Sequence, residues 1–225
     1  MHGIVNLDKP PGISSARAVA SVKRLLPKGT KIGHAGTLDP FATGVLLLLV
    51  GRATKQCEAL MGAPKQYIAT VKLGATTATD DPESPETPWP VEALIPASPE
   101  AVLQALSSFV GTIRQRPPSF SAMKVGGRRA YALARAGRTV ELQPRTVQVY
   151  GIEMMEYAWP LLSLRIDCGR GVYIRSIARD LGAALNVGGY LTALRRTRIG
   201  DYRIDQSVTL ERLAADGVAP HLLPV

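Results

Sequence analysis

Residues 33–44, Gly33-His34-Ala35-Gly36-Thr37-Leu38-Asp39-Pro40-Phe41-Ala42-Thr43-Gly44, bring an aspartate, a histidine and three glycines into one short stretch. Glycine lets a backbone turn tightly and come close to a ligand. Such a loop can therefore present the Asp39 carboxylate at the floor of a cleft. An apolar run, residues 45–50, follows directly, and a strand buried on both faces would give the loop a rigid base. A lone Asp-Pro is more commonly a turn whose aspartate accepts backbone hydrogen bonds. A lone histidine is more commonly structural. Taken alone, the loop leaves both readings open.

Other chemistries find little support. The chain has two cysteines, Cys57 and Cys168, and three histidines, all scattered and without a Cys-x-x-Cys pair. A zinc site needs about four clustered ligands, so no metal is expected and both cysteines read as buried, small apolar residues. The longest apolar run is far short of a membrane span. The first residues show no basic segment followed by an apolar one, so no signal peptide is read and a cytoplasmic location is expected.

Net charge is +9, and its distribution is uneven. Residues 114–145 hold eight Arg or Lys against Glu141 alone, and residues 165–203 hold eight more Arg against Asp167, Asp180 and Asp201. Residues 76–113 hold no Lys or Arg but include Asp80, Asp81, Glu83, Glu86, Glu92 and Glu100. Two basic segments beside an acidic one fit a surface for a polyanion such as nucleic acid. They fit a merely basic protein with solvated arginines equally well.

The elements that would position Asp39 follow from hydropathy spacing. A strand is expected near residues 3–7, then a helix capped by Ser14 or Ser15 with Val19, Val22 and Leu26 on one face. Residues 31–44 read as an ordered loop and residues 45–50 as a buried strand. A helix over 53–61 and a strand over 66–73 come next. Six prolines and several acids make residues 82–99 an irregular loop or insertion. Ser98-Pro99 starts a helix to about residue 110, and a short helix is expected over 129–136. Strands over 147–157 and 161–168 precede an amphipathic helix carrying Ile174, Ile177, Ala178, Leu181 and Leu185. The mix lacks a strict β-α repeat, so the fold class is α+β with a mainly antiparallel sheet. A length of 225 residues fits one large domain, or a main domain with a small appendage.

Several separated motifs in register carry a family resemblance. Gly3-Ile4-Val5-Asn6-Leu7-Asp8-Lys9-Pro10, the loop with its Gly36-Thr37-Leu38-Asp39-Pro40, Arg116-Pro117-Pro118-Ser119-Phe120-Ser121-Ala122-Met123-Lys124 and Cys168-Gly169-Arg170-Gly171-Val172-Tyr173-Ile174-Arg175-Ser176 together resemble the TruB family of tRNA pseudouridine synthases. The likeness extends from about residue 3 to residue 212.

The resemblance implies the pseudouridine synthase fold, with an active-site cleft across the sheet, and isomerisation of a T-loop uridine (position 55) of tRNA after base flipping. Asp39 matches the covalent catalyst, attacking either C1′ of the ribose or C6 of the base. Arg175 matches the arginine that pairs with it, and Tyr67 a tyrosine that stacks on the target base and helps move its C5 proton. Tyr173 and Leu194 match residues lining the uridine pocket. His34 matches a histidine near the displaced base or its phosphate, and Lys9 a basic residue of the same neighbourhood.

No redox step or activated donor is needed, so no cofactor is expected. The implied partner is the T-arm stem-loop of tRNA, with no membrane and no protein partner, and the protein a monomer. The catalytic domain is expected over 1–208, with residues 80–99 as a loop or insertion. Residues 209–225 read as a short C-terminal tail without the complete PUA domain common in the family. Two rival readings are the catalytic subunit of an RNA-guided, H/ACA-type complex and a non-catalytic tRNA-binding or folding module. A lost activity should show as a changed Asp39, Tyr67 or Arg175, and all three are intact.

Overall fold

A computed structural model describes residues 1–90, 97–121, 123–125, 128–129 and 142–224. The chain divides into two compact units: residues 1–68 with 194–225, and residues 69–193.

The first unit is built on the apolar run foreseen from the sequence. Strand β3 (Thr43–Val50) is buried along residues 44–50, and burying each large apolar side chain contributes about 1.5–3 kcal/mol. β1 (Gly3–Lys9) runs antiparallel along one edge of β3, from Gly3 opposite Val50 to Lys9 opposite Gly44. The other edge is shared. β2 (Ile32–Ala35) pairs antiparallel with residues 47–50, and strand β12 (Gly189–Ile199) pairs in parallel with Thr43 and Gly44.

On one face Ile4, Val45, Leu47 and Leu49 pack with Ala35, Ala53 and Ile199, with Leu60 and Met61 against them. Helix α1 (Ser15–Lys23) starts where Ser14 Oγ accepts from Arg17 N, and it buries Ala18 and Val22. A 3-10 turn (Gly51–Gln56) leads into α2 (Cys57–Gly62) and then into β4 (Lys65–Leu73).

β4 and β12 each pass from one unit into the other. Beyond β4 the second unit has β5 (Ala75–Thr77) paired with β6 (Glu86–Pro88), α3 (Pro99–Ser107) and β7 (Gly111–Gln115). A short pair, β8 (Lys124–Val125) and β9 (Arg128–Arg129), comes next. β10 (Arg145–Ala158) pairs antiparallel with both β7 and β11 (Leu161–Cys168), in the order β12-β4-β11-β10-β7.

Helix α4 (Ile174–Ala184) buries Ile174, Ile177, Ala178 and Leu181. It meets the chain so closely that a Cβ on Gly182 would lie 2.2 Å from the Gly188 carbonyl carbon. The chain closes with β13 (Tyr202–Arg203), paired with β12, and α5 (Leu210–Asp216). β1–β3, β2–β3, β7–β10, β10–β11 and β12–β13 pair antiparallel and β3–β12 in parallel, and helices accompany the sheet, which gives the α+β class expected.

Four expectations need correction. Residues 32–35 form β2 because β3 offers them an edge, although glycine and histidine there read as loop. The helix expected over 53–61 opens as a 3-10 turn. Cys57 is half-buried, whereas Cys168 is buried. Within the irregular loop expected over 82–99, Glu86–Pro88 form strand β6. The helix expected over 129–136 falls, after Arg129 in β9, outside the described residues.

Residues 208–223 lie along β1. Val208 N donates to Asn6 O, Asp8 N to Val208 O, and Ile4 and Leu223 exchange both backbone bonds at 3.0 and 2.9 Å. No helix among the described residues is long and apolar enough to cross a membrane.

Candidate active site

The loop that carries Asp39 is pinned by three side chains of the first unit. Ser15 Oγ donates to Leu38 O at 3.0 Å and accepts from Leu38 N at 2.8 Å, gripping the residue before Asp39 from both sides. Lys9, fully buried, sends Nζ to the carbonyls of Pro10, Ile13 and Pro40 at 2.8, 2.8 and 3.2 Å. Arg196, 1% exposed, donates to Val45 O, Gly36 O and Thr37 O at 2.7, 3.0 and 3.4 Å. Asp39 O accepts from Ala42 N at 3.2 Å, closing the turn. Asp39 itself is half-buried, so the residue keeps exposed surface while its backbone neighbours are fixed.

The remaining expected residues of this unit sit on its strands. Tyr67 on β4 and Leu194 on β12 are each 8% exposed. His34 lies on β2, half-buried, with its Nδ1 buried and meeting no hydrogen-bond partner among the described residues. Burial first, and then the Arg196 guanidinium, push its pKa below the ordinary 6.5.

The ring is therefore neutral at pH 7. The unfolded chain binds a proton at this position at a higher pH than the folded one, so this residue lowers stability as pH falls below 6.5. NMR titration of the His34 ring should give a midpoint under 6.5. A midpoint at or above that value would mean that the ring is neither dry nor near a cation.

In the second unit α4 gathers the polar groups. Gly171, at φ +85°, turns the chain into the helix, and Tyr173 stands at the N-cap. The cap is not supplied by its own side chain. Instead the buried Gln115 accepts from Tyr173 N at 2.8 Å and donates to Tyr173 O at 3.0 Å.

Arg175 is 4% exposed, so it is no solvated charge. Its guanidinium donates to Asp81 Oδ2 at 3.0 Å, Thr79 O at 2.9 Å and Phe120 O at 2.9 Å. Asp81 in turn is 2% exposed, and its Oδ1 accepts from Thr79 Oγ1 and, at 3.0 Å, from Glu83 N. Next to it Asp80, at φ +59°, meets Arg179 at 3.1 Å. Burial raises the pKa of Asp80 and Arg179 opposes that rise.

The acidic turn is thus an anchor for the arginines of α4. Sequence reading missed Asp80 and Asp81, along with Ser15, Arg196 and Gln115. The one available signal was an acid pair in a segment without a single basic residue.

The second basic segment also changes meaning. Arg175 and Arg196 are buried, Arg179 is shared by Asp80 and Asp180, Arg195 meets Asp8 at 2.8 Å and Arg165 meets Glu153. Much of that charge holds the protein together. Arg114, Arg116 and Arg145 of the first segment are exposed. Among the described residues no group of three or more His, Cys, Asp or Glu is arranged to hold a metal.

Comparison with known proteins agrees with this architecture. The profile described as TruB family pseudouridylate synthase (N terminal domain) matches residues 23–174, and that of the tRNA pseudouridylate synthase B C-terminal domain matches residues 175–221. A protein named tRNA pseudouridine synthase B from Xanthomonas campestris pv. campestris (strain B100) is 48% identical over 217 residues, covering 96% of this chain and 69% of its own. One of the same name from Mycobacterium bovis (strain BCG / Pasteur 1173P2) is 47% identical over 219 residues, covering 94% and 72%.

A solved structure described as a Cbf5-Nop10-Gar1 complex contains a chain 32% identical, with TM-score 0.74 over 96% of this chain. An H/ACA RNP bound to a substrate RNA containing 2'-deoxyuridine contains one 30% identical, with TM-score 0.70. The present chain spans about half the length of these solved chains, 54% and 53%. With matched profiles over most of its length and close relatives in two bacteria, the chain belongs to the TruB family of pseudouridylate synthases.

Proposed function

We propose that the protein isomerises uridine to pseudouridine in the T-loop of tRNA, with Asp39 as the covalent catalyst. The observation that carries this reading is the loop itself. A half-buried aspartate stands on a backbone fixed at Leu38, Pro40, Gly36 and Thr37 by buried donors. Buried polar groups concentrated under one carboxylate fit preorganisation of a reacting group.

The chemistry asks for little else. The C1′–N1 bond breaks, the base turns, and a C1′–C5 bond forms. The proton leaves C5 and N1 ends protonated, so atoms and electrons balance with no cofactor. A carboxylate adding to C1′ or C6 ties one fragment to the protein while the other turns within the closed pocket. Arg175 pairs with Asp39 in this reading and favours its ionised form. Tyr67 stacks on the base and assists at C5, Tyr173 and Leu194 line the uridine pocket, and His34 and Lys9 complete its surroundings.

Flipping the target nucleotide costs a few kcal/mol of stacking, offset by pocket contacts and by arginines on phosphate. Residues 1–208 supply the catalytic domain. The protein works as a monomer in the cytoplasm, on the T-arm of tRNA.

Tritium release from C5-labelled uridine decides the matter. Purified protein should release one tritium per bare T-arm transcript, without any guide RNA. No release would reduce the protein to a tRNA-binding or folding module, and release only with a guide would make it the subunit of an RNA-guided complex.

A further inference from the structure

Arg196 heads the fully buried side chains of the described residues, and a guanidinium keeps its charge wherever it lies. Arg196 lies in the basic segment 165–203, one of the two that fit a surface for a polyanion. Strand alternation overturns that reading. Arg195 turns to Asp8 and Thr43, while Arg196 turns inward to carbonyl oxygens alone.

Among the described residues no carboxylate lies within ion-pairing distance of Arg196. Burying a cation without a counter-ion is costly, so its acceptors must matter. They bracket one loop: Gly36 and Thr37 come before Asp39, and Val45, in β3, comes after it.

The backbone of the same residue adds a further hold. Arg196 is the parallel partner of Gly44, and a Cβ at Gly44 (φ +102°) would lie 2.2 Å from Arg196 O. The entry and exit of the loop therefore converge on one side chain and its own main chain. Lysine has a single nitrogen, and the donors of glutamine share one nitrogen. The planar fork of arginine spreads its donors over three nitrogens, so it can serve acceptors lying further apart than a single ammonium can.

We infer that Arg196 is a positioning residue for Asp39: its guanidinium ties both ends of the catalytic loop and so fixes where the carboxylate points before RNA arrives. This rests on Asp39 being the nucleophile. A side chain serving stability alone would lower the melting temperature and leave the rate per folded molecule unchanged. A positioning residue lowers the chemical step itself, because a misplacement of about 1 Å costs on the order of 100-fold.

The test uses Arg196→Lys and Arg196→Met in the full chain, with single-turnover rates on saturating tRNA, tRNA affinity and thermal melts. Arg196→Lys keeps the charge and loses the fork. It should bind tRNA within about threefold of wild type and slow the chemical step about 100-fold at temperatures where it is fully folded. Arg196→Met should do the same and also move the His34 titration up towards 6.5, since a neighbouring cation is gone. If Arg196→Met does not fold, the lysine variant decides alone. A wild-type rate in Arg196→Lys, or a loss of affinity equal to the loss of rate, overturns the inference. Failure of the nucleophile reading looks different, because Asp39→Asn then stays active; the inference falls with it.

Discussion

Asp39→Asn should abolish pseudouridine formation and leave tRNA affinity within a few-fold of wild type. The substitution is nearly isosteric, and the three side chains that pin the loop act on its main chain. Ser15 grips Leu38, Lys9 reaches Pro40, and Arg196 reaches Gly36 and Thr37, all through main-chain atoms. The loop should keep its shape in the variant, which a thermal melt and the His34 titration can check.

What disappears is the nucleophile. An amide oxygen does not form the covalent adduct, to ribose C1′ or to base C6, on which the proposed rearrangement depends. Removing a covalent nucleophile costs other enzymes on the order of ten-thousand-fold or more in kcat. Affinity is spared because the lost charge is negative and phosphate contacts come from cations. Single-turnover tritium release and filter binding, on one batch of protein, separate the two quantities. An Asn variant releasing tritium at more than about a hundredth of the wild-type rate would remove Asp39 from the mechanism.

The loop was legible in the sequence because its signals are local. Glycine spacing, the following apolar run and the motif around Asp39 all lie within residues 33–50. Helix α4 was legible for the same reason: its apolar residues repeat at helical spacing. What was not legible depends on distant pairings. Arg175 and Asp81 are 94 positions apart, and Arg196 and Gly36 are 160 apart.

An arginine on a strand reads as solvated until the opposing surface is known. Arg196 and Arg195 are neighbours with identical side chains, yet one is buried and the other keeps 42% of its side chain exposed. β2 escaped notice because Gly33 and His34 are weak strand formers, and only the free edge of β3 makes them a strand. β7 was missed because it contains just five residues, Gly111–Gln115, alternating between exposed and covered positions. Resemblance supplied Arg175 and Tyr67 as candidates, but not the acid that holds Arg175 inside its own unit.

That acid gives the second large effect. Asp81→Ala removes a carboxylate that is 2% exposed from a guanidinium that is 4% exposed. Breaking a buried ion pair from one side costs about 3–5 kcal/mol, because the remaining charge loses its main compensation. The change also removes the bonds that Thr79 Oγ1 and Glu83 N donate to Asp81 Oδ1, so the turn after β5 loosens as well. For a chain of this size each kcal/mol moves the melting temperature by about 2–4 °C, so a fall of roughly 10 °C is expected.

Asp81→Asn separates shape from charge. Its side chain still accepts from Glu83 N, but its amide nitrogen would face Arg175 if the oxygens keep their places. The helix should hold while Arg175 shifts, giving a smaller fall in melting temperature than alanine and a slower chemical step at unchanged tRNA affinity. Thr79→Ala serves as the control. It removes the hydroxyl bonded to Asp81 and leaves the Thr79 carbonyl on Arg175 intact, so its effect should be the mildest of the three. If alanine at position 81 melts within 2 °C of wild type, about a 1 kcal/mol change or less, the Arg175–Asp81 pair does not hold α4 in place, and the acidic turn has some other reason to be buried.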